Sequence, residues 1–168
     1  SYPLKGRGML LKNQLMRVAL ATSPQAQELM MTSTFDAAAV AVFYKGSILL
    51  GKRIEVYKGE PVTFGGYWSI FGGALEAGES AREAATRELC EETQICISSE
   101  SVAFVASLPR PHGFFSIYAY ESPHFLSPIL DFEHTECGWF AVDSLKTFSE
   151  KIDFELVRCI LEYDDRRP

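Results

Sequence analysis

Residues 73–95 read Gly-Ala-Leu-Glu-Ala-Gly-Glu-Ser-Ala-Arg-Glu-Ala-Ala-Thr-Arg-Glu-Leu-Cys-Glu-Glu-Thr-Gln-Ile. A glycine turn opens into a helix over about Ala81–Thr93. Ser80 is placed as its N-cap, and Glu83, three residues on, completes a capping box. The helix ends in three acids, Glu88, Glu91 and Glu92. At spacing i, i+3, i+4 they share an arc of about 100°. Ala81, Ala84, Ala85 and Leu89 fall on nearly the same stripe, so the face that begins as small apolar residues continues as carboxylates and points toward the body of the protein.

Such a face is locally unfavourable. Like charges at these spacings repel by roughly 0.2–0.5 kcal/mol per pair. Glu91 and Glu92 lie in the last turn, where the helix dipole disfavours anions. Unpaired charge turned inward is costly. A hard divalent cation resolves all three problems, and oxygen ligands suit Mg²⁺ or Mn²⁺ better than zinc. The plainer alternative is a solvated acidic helix end.

The stretch resembles the box of the Nudix hydrolase family, which runs Gly, five residues, Glu, seven residues, Arg-Glu, an aliphatic, any residue, Glu-Glu, any residue, Gly, an aliphatic. Gly73, Glu79, Arg87, Glu88, Leu89, Glu91, Glu92 and Ile95 stand at the required offsets, and Gln94 replaces the second glycine. That glycine sits just past the helix, where a left-handed residue is commonly needed. A side chain there costs on the order of 1 kcal/mol and bears on the helix end rather than on the acids. Tyr67-Trp68-Ser69-Ile70-Phe71-Gly72-Gly73 resembles the family's lead-in, and Glu136-Cys137-Gly138-Trp139-Phe140 its late strand.

The resemblance implies an α/β fold, an α/β/α sandwich with a mixed β-sheet, over residues 36–165. Residues 1–35 lie outside it. There Leu11, Leu15 and Val18 recur at helical spacing, which predicts a partly helical extension. The resemblance further implies a Mg²⁺-dependent (or Mn²⁺-dependent) hydrolase of phosphorus-containing anhydrides that cleaves a nucleoside diphosphate-linked substrate, either a nucleoside triphosphate or a nucleotide sugar such as ADP-ribose. Pro111, sixteen residues after Ile95, fits the ADP-ribose branch. The implied metal ligands are Glu88, Glu91, Glu92 and the backbone carbonyl of Gly72. Gly73, Glu79 and Arg87 are expected to be structural, the last two locking loop to helix. A further acid from a later loop serves as ligand or base. Glu133 is favoured, in an acidic loop able to swing over the metals, with Glu136 and Glu121 behind it. His134 and His112 are read as surface or capping histidines before being read as base or phosphate contacts. Arg53 and Arg110 are candidates for phosphate. Trp68 is the candidate for stacking, among the aromatics Phe43, Tyr67, Phe114 and Tyr118. The reading from a different class is a non-catalytic Nudix domain that binds nucleotide and regulates a partner.

Composition bounds the rest. A length of 168 residues suits one such domain with an N-terminal extension. The net charge of −6 argues against a nucleic-acid polymer as partner. Lys12 and Arg17 interrupt the apolar stretch 9–21, and no run is long enough to span a membrane. Cys90, Cys96, Cys137 and Cys159 lack metal-type spacing and are expected to be reduced thiols, consistent with a cytoplasmic protein. The sequence leaves room for a homodimer.

Along the chain, strands are expected at Ala37–Tyr44, Ser47–Arg53, Tyr67–Phe71, Val102–Leu108, Phe114–Glu121 and Gly138–Val142, with a closing helix over Lys151–Tyr163. Loops are expected at residues 54–66, 109–113 and 122–135.

Overall fold

The computed structural model describes residues 36–111 and 113–168. The expected N-terminal helix and His112 lie outside the described residues. β1 (Ala37–Tyr44) and β2 (Ser47–Arg53) form the expected hairpin around Lys45 and Gly46, both at positive φ. Six consecutive residues of β1 are buried. That continuous apolar run is what a strand covered on both faces requires.

The hairpin splits away from its turn, because β1 and β2 pair only at Phe43–Ile48 and Tyr44–Ser47. A small hairpin, β3 (Val56–Tyr57) with β4 (Glu60–Pro61), lies within the stretch expected to be loop. The chain then wedges into the split. β5 (Trp68–Ser69) pairs with β2, and β6 (Phe71–Ala74) pairs with β1. Gly72 makes this possible, since a Cβ there would lie 2.3 Å from the Ala38 carbonyl oxygen and 2.4 Å from Ala39 Cβ.

Helix α1 (Ala81–Thr93) follows with the expected bounds. β7 (Ala103–Arg110) and β8 (Gly113–Glu121) are antiparallel neighbours, and β8 runs parallel to β1. β9 (His134–Ala141) pairs antiparallel with β2. The result is a mixed seven-stranded sheet. Alternate β1 residues point to opposite faces. Ala38, Val40 and Val42 pack with Ala84, Ala85 and Leu89 of α1. Ala39, Ala41 and Phe43 pack with Leu156, Val157 and Ile160 of the last helix, α2 (Phe154–Arg166). The expected α/β sandwich is present. No helix among the described residues is long and apolar enough to cross a membrane.

Several expected boundaries move. β7 runs on through Pro109 and Arg110, which were expected to be loop, because a sheet-edge strand tolerates a proline. β9 begins four residues early, at His134. α2 starts at Phe154 rather than Lys151, since the Asp153 side chain accepts from Glu155 N (2.9 Å) and caps it. The cysteine expectation is corrected as well. Cys90 and Cys96 are disulfide-bonded, while Cys137 and Cys159 are free. Gln94 adopts the left-handed conformation (φ 61°, ψ 15°), and this reversal returns Cys96 to within 4.5 Å of Cys90, Cα to Cα. The pairing removes the support that four free thiols lent to a cytoplasmic setting.

Candidate active site

The site is built where β6 runs into α1. Ser80 Oγ accepts from Glu83 N (3.1 Å) and donates to Glu83 Oε1 (2.9 Å), fixing the start of the helix. Arg87 then ties helix to loop as expected. Its Nε donates to Glu79 Oε1 (2.6 Å), and its NH2 donates to Glu79 Oε2 (3.0 Å) and to the Ala74 carbonyl (3.0 Å). Burial works against the Arg87 charge, but Glu79, Glu88 and Glu91 more than offset it and hold the guanidinium firmly protonated. Glu79 is likewise partly desolvated, yet the Arg87 hydrogen bonds keep its carboxyl below the usual range.

The three helix acids differ in their surroundings. Glu88 is buried against Gly73, where a Cβ would fall 2.4 Å from its carboxylate carbon, so only glycine leaves room for it. Glu88 Oε1 and Glu91 Oε2 each accept from Arg87 NH1 at 3.1 Å. Burial and the Glu88 charge push the Glu91 carboxyl from 4.5 up to about 7. Glu92 is 1% exposed. Burial, followed by the charges of Glu88, Glu133 and Asp131, raises its carboxyl well above the ordinary value. Its Oε1 is buried and meets no hydrogen-bond donor among the described residues.

Glu133 is among the acids that act on Glu92, and it is not on a swinging loop. It is buried, its carbonyl accepts from Ile54 N (2.8 Å), and its N–H donates to Asp131 Oδ1 (3.1 Å). The preceding chain is pinned to the end of α1 by Ile129 N to Thr93 O (2.9 Å) and Asp131 N to Glu92 O (3.0 Å). Glu136 instead faces Lys52 (3.4 Å), and Glu121 pairs with Arg167. His134, expected at the surface, has its side chain largely covered between Glu92 and Asp131. The nearby acids Asp131 and Glu133 were its only sequence signal.

A cleft of about 500 Å³ opens beside these groups, with Gly72, Gly73, Glu92 and His134 in its wall. Arg53, Trp68 and Arg110 line it, as do Tyr67 and Phe114. Arg53 Nε and Trp68 Nε1 are buried and meet no acceptor among the described residues. Arg110 is engaged with Asp153 (2.8 Å). Phe43 and Tyr118 belong to the two cores and are not part of the cleft wall.

Among the described residues, no three acidic, imidazole or thiol groups stand around a common point as metal ligands. Arg87 gives a reason, since it holds Glu91 and one Glu88 oxygen by ion pairs. The donor set nonetheless fits a hard cation. It is all oxygen, it clusters buried like charges, and it includes the donorless Glu92 Oε1.

These raised carboxyls set a pH dependence for the metal-free protein. A carboxyl whose pKa is higher folded than unfolded takes up protons on folding, so stability falls as pH rises through that interval. Between pH 4.5 and about 7 the Glu91 carboxyl contributes such a fall. The metal-free melting temperature should therefore decline more steeply over this range than that of Glu91→Gln, by roughly 5 °C in total. Saturating Mg²⁺ should remove most of the difference. Identical pH profiles of the two metal-free proteins, measured by calorimetry, would contradict the buried acidic cluster.

A family model for the NUDIX domain matches residues 34–158. A curated relative from Bifidobacterium longum (strain NCC 2705), a nucleoside triphosphate pyrophosphatase/Nudix hydrolase fusion protein, is 37% identical over 86 residues. That match covers 48% of this chain and 17% of the relative, so the chain spans about a sixth of the relative's length. Among solved structures, the MutT protein of Methanosarcina mazei Go1 superposes with a TM-score of 0.64 at 18% identity, covering 80% of this chain and 97% of that one. A bifunctional NMN adenylyltransferase/ADP ribose pyrophosphatase from Francisella tularensis, complexed with AMP and a manganese ion, gives a TM-score of 0.64 at 18% identity, covering 83% of this chain and 44% of that one. At such identities the structural likeness establishes the fold alone. The family match takes in the box, the sheet and the start of the closing helix, and by it this chain belongs to the NUDIX domain family.

Proposed function

We propose that this chain, over residues 36–165, is a divalent-metal-dependent pyrophosphohydrolase acting on a small nucleoside diphosphate-linked substrate, a nucleoside triphosphate or a nucleotide sugar. The observation that carries the reading is Glu92. It is a fully buried carboxylate in the wall of a largely apolar cleft, with further acids beside it and one oxygen without a donor. The Bifidobacterium relative is named as a Nudix hydrolase fusion and the Francisella protein in part as an ADP ribose pyrophosphatase, names in keeping with hydrolysis of a phosphoanhydride.

Glu92 through Oε1, with Glu88 and Glu91, would hold the cation. When bound, Mg²⁺ or Mn²⁺ supplies charge stabilisation to the attack of water on phosphorus and to the leaving phosphate oxygen. Glu91 must leave Arg87 to take part, and Arg87 keeps Glu79 as its bidentate partner when it does. Glu133, buried near Glu92, would orient the water and accept its proton. The apolar cleft excludes bulk water from a bound base or sugar. The N–H groups of Arg53 and Trp68 offer it donors.

A screen of nucleoside triphosphates and nucleotide sugars with Mg²⁺, with products identified, tests the proposal. Hydrolysis at a phosphoanhydride that stops with chelator is expected, and the cleavage position separates the two branches. Glu133→Gln should lower turnover about 100-fold with little change in KM, since its role strengthens in the transition state. Glu136→Gln, on the exposed Lys52 pair, should change turnover less than about threefold. Nucleotide binding without turnover of any substrate would replace this reading with a nucleotide-binding regulatory domain.

A further inference from the structure

We infer that His134 is a positioning residue for Glu92. Its imidazole holds one carboxylate oxygen so that the other is presented to a cation. The inference rests on the metal-dependent reading above. His134 Nε2 lies 3.3 Å from Glu92 Oε2, and Nδ1 lies 3.0 Å from Asp131 Oδ1. Asp131 N donates back to the Glu92 carbonyl at 3.0 Å. The contacts therefore form a closed circuit, from the Glu92 side chain through His134 and Asp131 to the Glu92 backbone. Such a circuit fixes both the backbone and the side chain of one residue, which a single hydrogen bond cannot do.

The ring itself has little freedom. Its side chain is 7% exposed, and it meets Phe71 edge-on with centroids 4.8 Å apart. Opposite it stands Gly51, where a Cβ would lie 3.0 Å from His134 Cδ2 and 2.5 Å from Phe71. Any larger residue at 51 would displace the pair. The two oxygens of Glu92 are thus differentiated. Oε2 faces the imidazole, whereas Oε1 is buried with no donor. A carboxylate so held presents one oxygen in a set direction, and partners of this kind orient a ligand and tune its affinity for metal.

The test uses the full chain and Mn²⁺ alone, with free Mn²⁺ read by electron paramagnetic resonance. Metal-free melting is followed in parallel. His134→Phe keeps the ring volume and removes both polar contacts. It should weaken Mn²⁺ binding by roughly 10–100-fold. His134→Gln places an amide N–H₂ near the Nε2 position and should restore binding to within about threefold of wild type. His134→Asn reaches only the Nδ1 position and should bind as weakly as His134→Phe. A merely structural role would not separate glutamine from asparagine, so equal Mn²⁺ affinity of these two would overturn the inference even if His134→Phe fails to fold. Wild-type affinity in His134→Phe would overturn it as well. Absence of Mn²⁺ binding by the wild type would instead remove the metal reading on which the inference rests.

Discussion

Glu92→Gln is expected to lower turnover by about 10³-fold and at the same time to raise the melting temperature of the metal-free protein. The two effects have one origin. Glu92 is buried among Glu88, Glu133 and Asp131, so its ionised form carries a cost that a bound cation would offset. Glutamine keeps the shape and removes the charge. Without metal, repulsion and desolvation are both relieved. With substrate and Mg²⁺ present, a ligand is lost, and with it several kcal/mol of transition-state stabilisation. The stabilisation that Mg²⁺ confers on the fold by linkage should shrink in the same variant. Glu91→Gln should lower turnover by orders of magnitude as well, with a smaller gain in metal-free stability, because Glu91 already has Arg87 as a partner. Steady-state kinetics and calorimetry with and without Mg²⁺ check both. Full activity of the two variants would refute the metal assignment, and a lowered metal-free stability of Glu92→Gln would refute the charge argument.

Arg87→Met should be the most damaging single change to the fold near the site, destabilising it by roughly 3–5 kcal/mol, or about 10 °C in melting temperature. Methionine preserves much of the apolar stem. What it removes is a guanidinium that satisfies Glu79 bidentately, the Ala74 carbonyl, Glu88 and Glu91 together. Those carboxylates are partly or fully buried, and losing their common partner leaves like charges facing one another. Arg87→Lys should rescue only part of the loss, because a point charge cannot reproduce the fork. The pH profile carries a further signature. Glu79 has a depressed carboxyl in the fold, so its share of stability is present above its unfolded value near 4.5 and is lost as pH falls through the folded one. That acid-side loss should vanish in Arg87→Met. A cost below about 1 kcal/mol by denaturant unfolding would mean that loop and helix hold together without the lock.

Much of this site is legible in residues 73–95, because its geometry is local. Helical periodicity puts Glu88, Glu91 and Glu92 on one face. The cap at Ser80 and the left-handed turn at Gln94 are backbone matters settled within a few residues. The pairing of Glu79 with Arg87, eight residues apart, follows from loop and helix being consecutive. The continuous apolar run of β1 announces a strand covered on both faces, and the two helices on opposite sides of the sheet bear it out. What tertiary structure alone decided lies between segments far apart in sequence. Trp68–Ala74 enters the split between β1 and β2, a matter of sheet order that no local pattern encodes. Arg110 meets Asp153 across 43 positions and is thereby engaged. Nearer in sequence, Cys96 returns to Cys90 through the reversal at Gln94, a bond that the spacing by itself did not reveal. His134 was indistinguishable from a surface histidine until β9 was laid against β2 and the preceding loop was pinned to the end of α1. Its burial beside Glu92 depends on those long-range contacts, because local sequence sets which groups can share a helix face and only the assembled fold sets which groups lose their water.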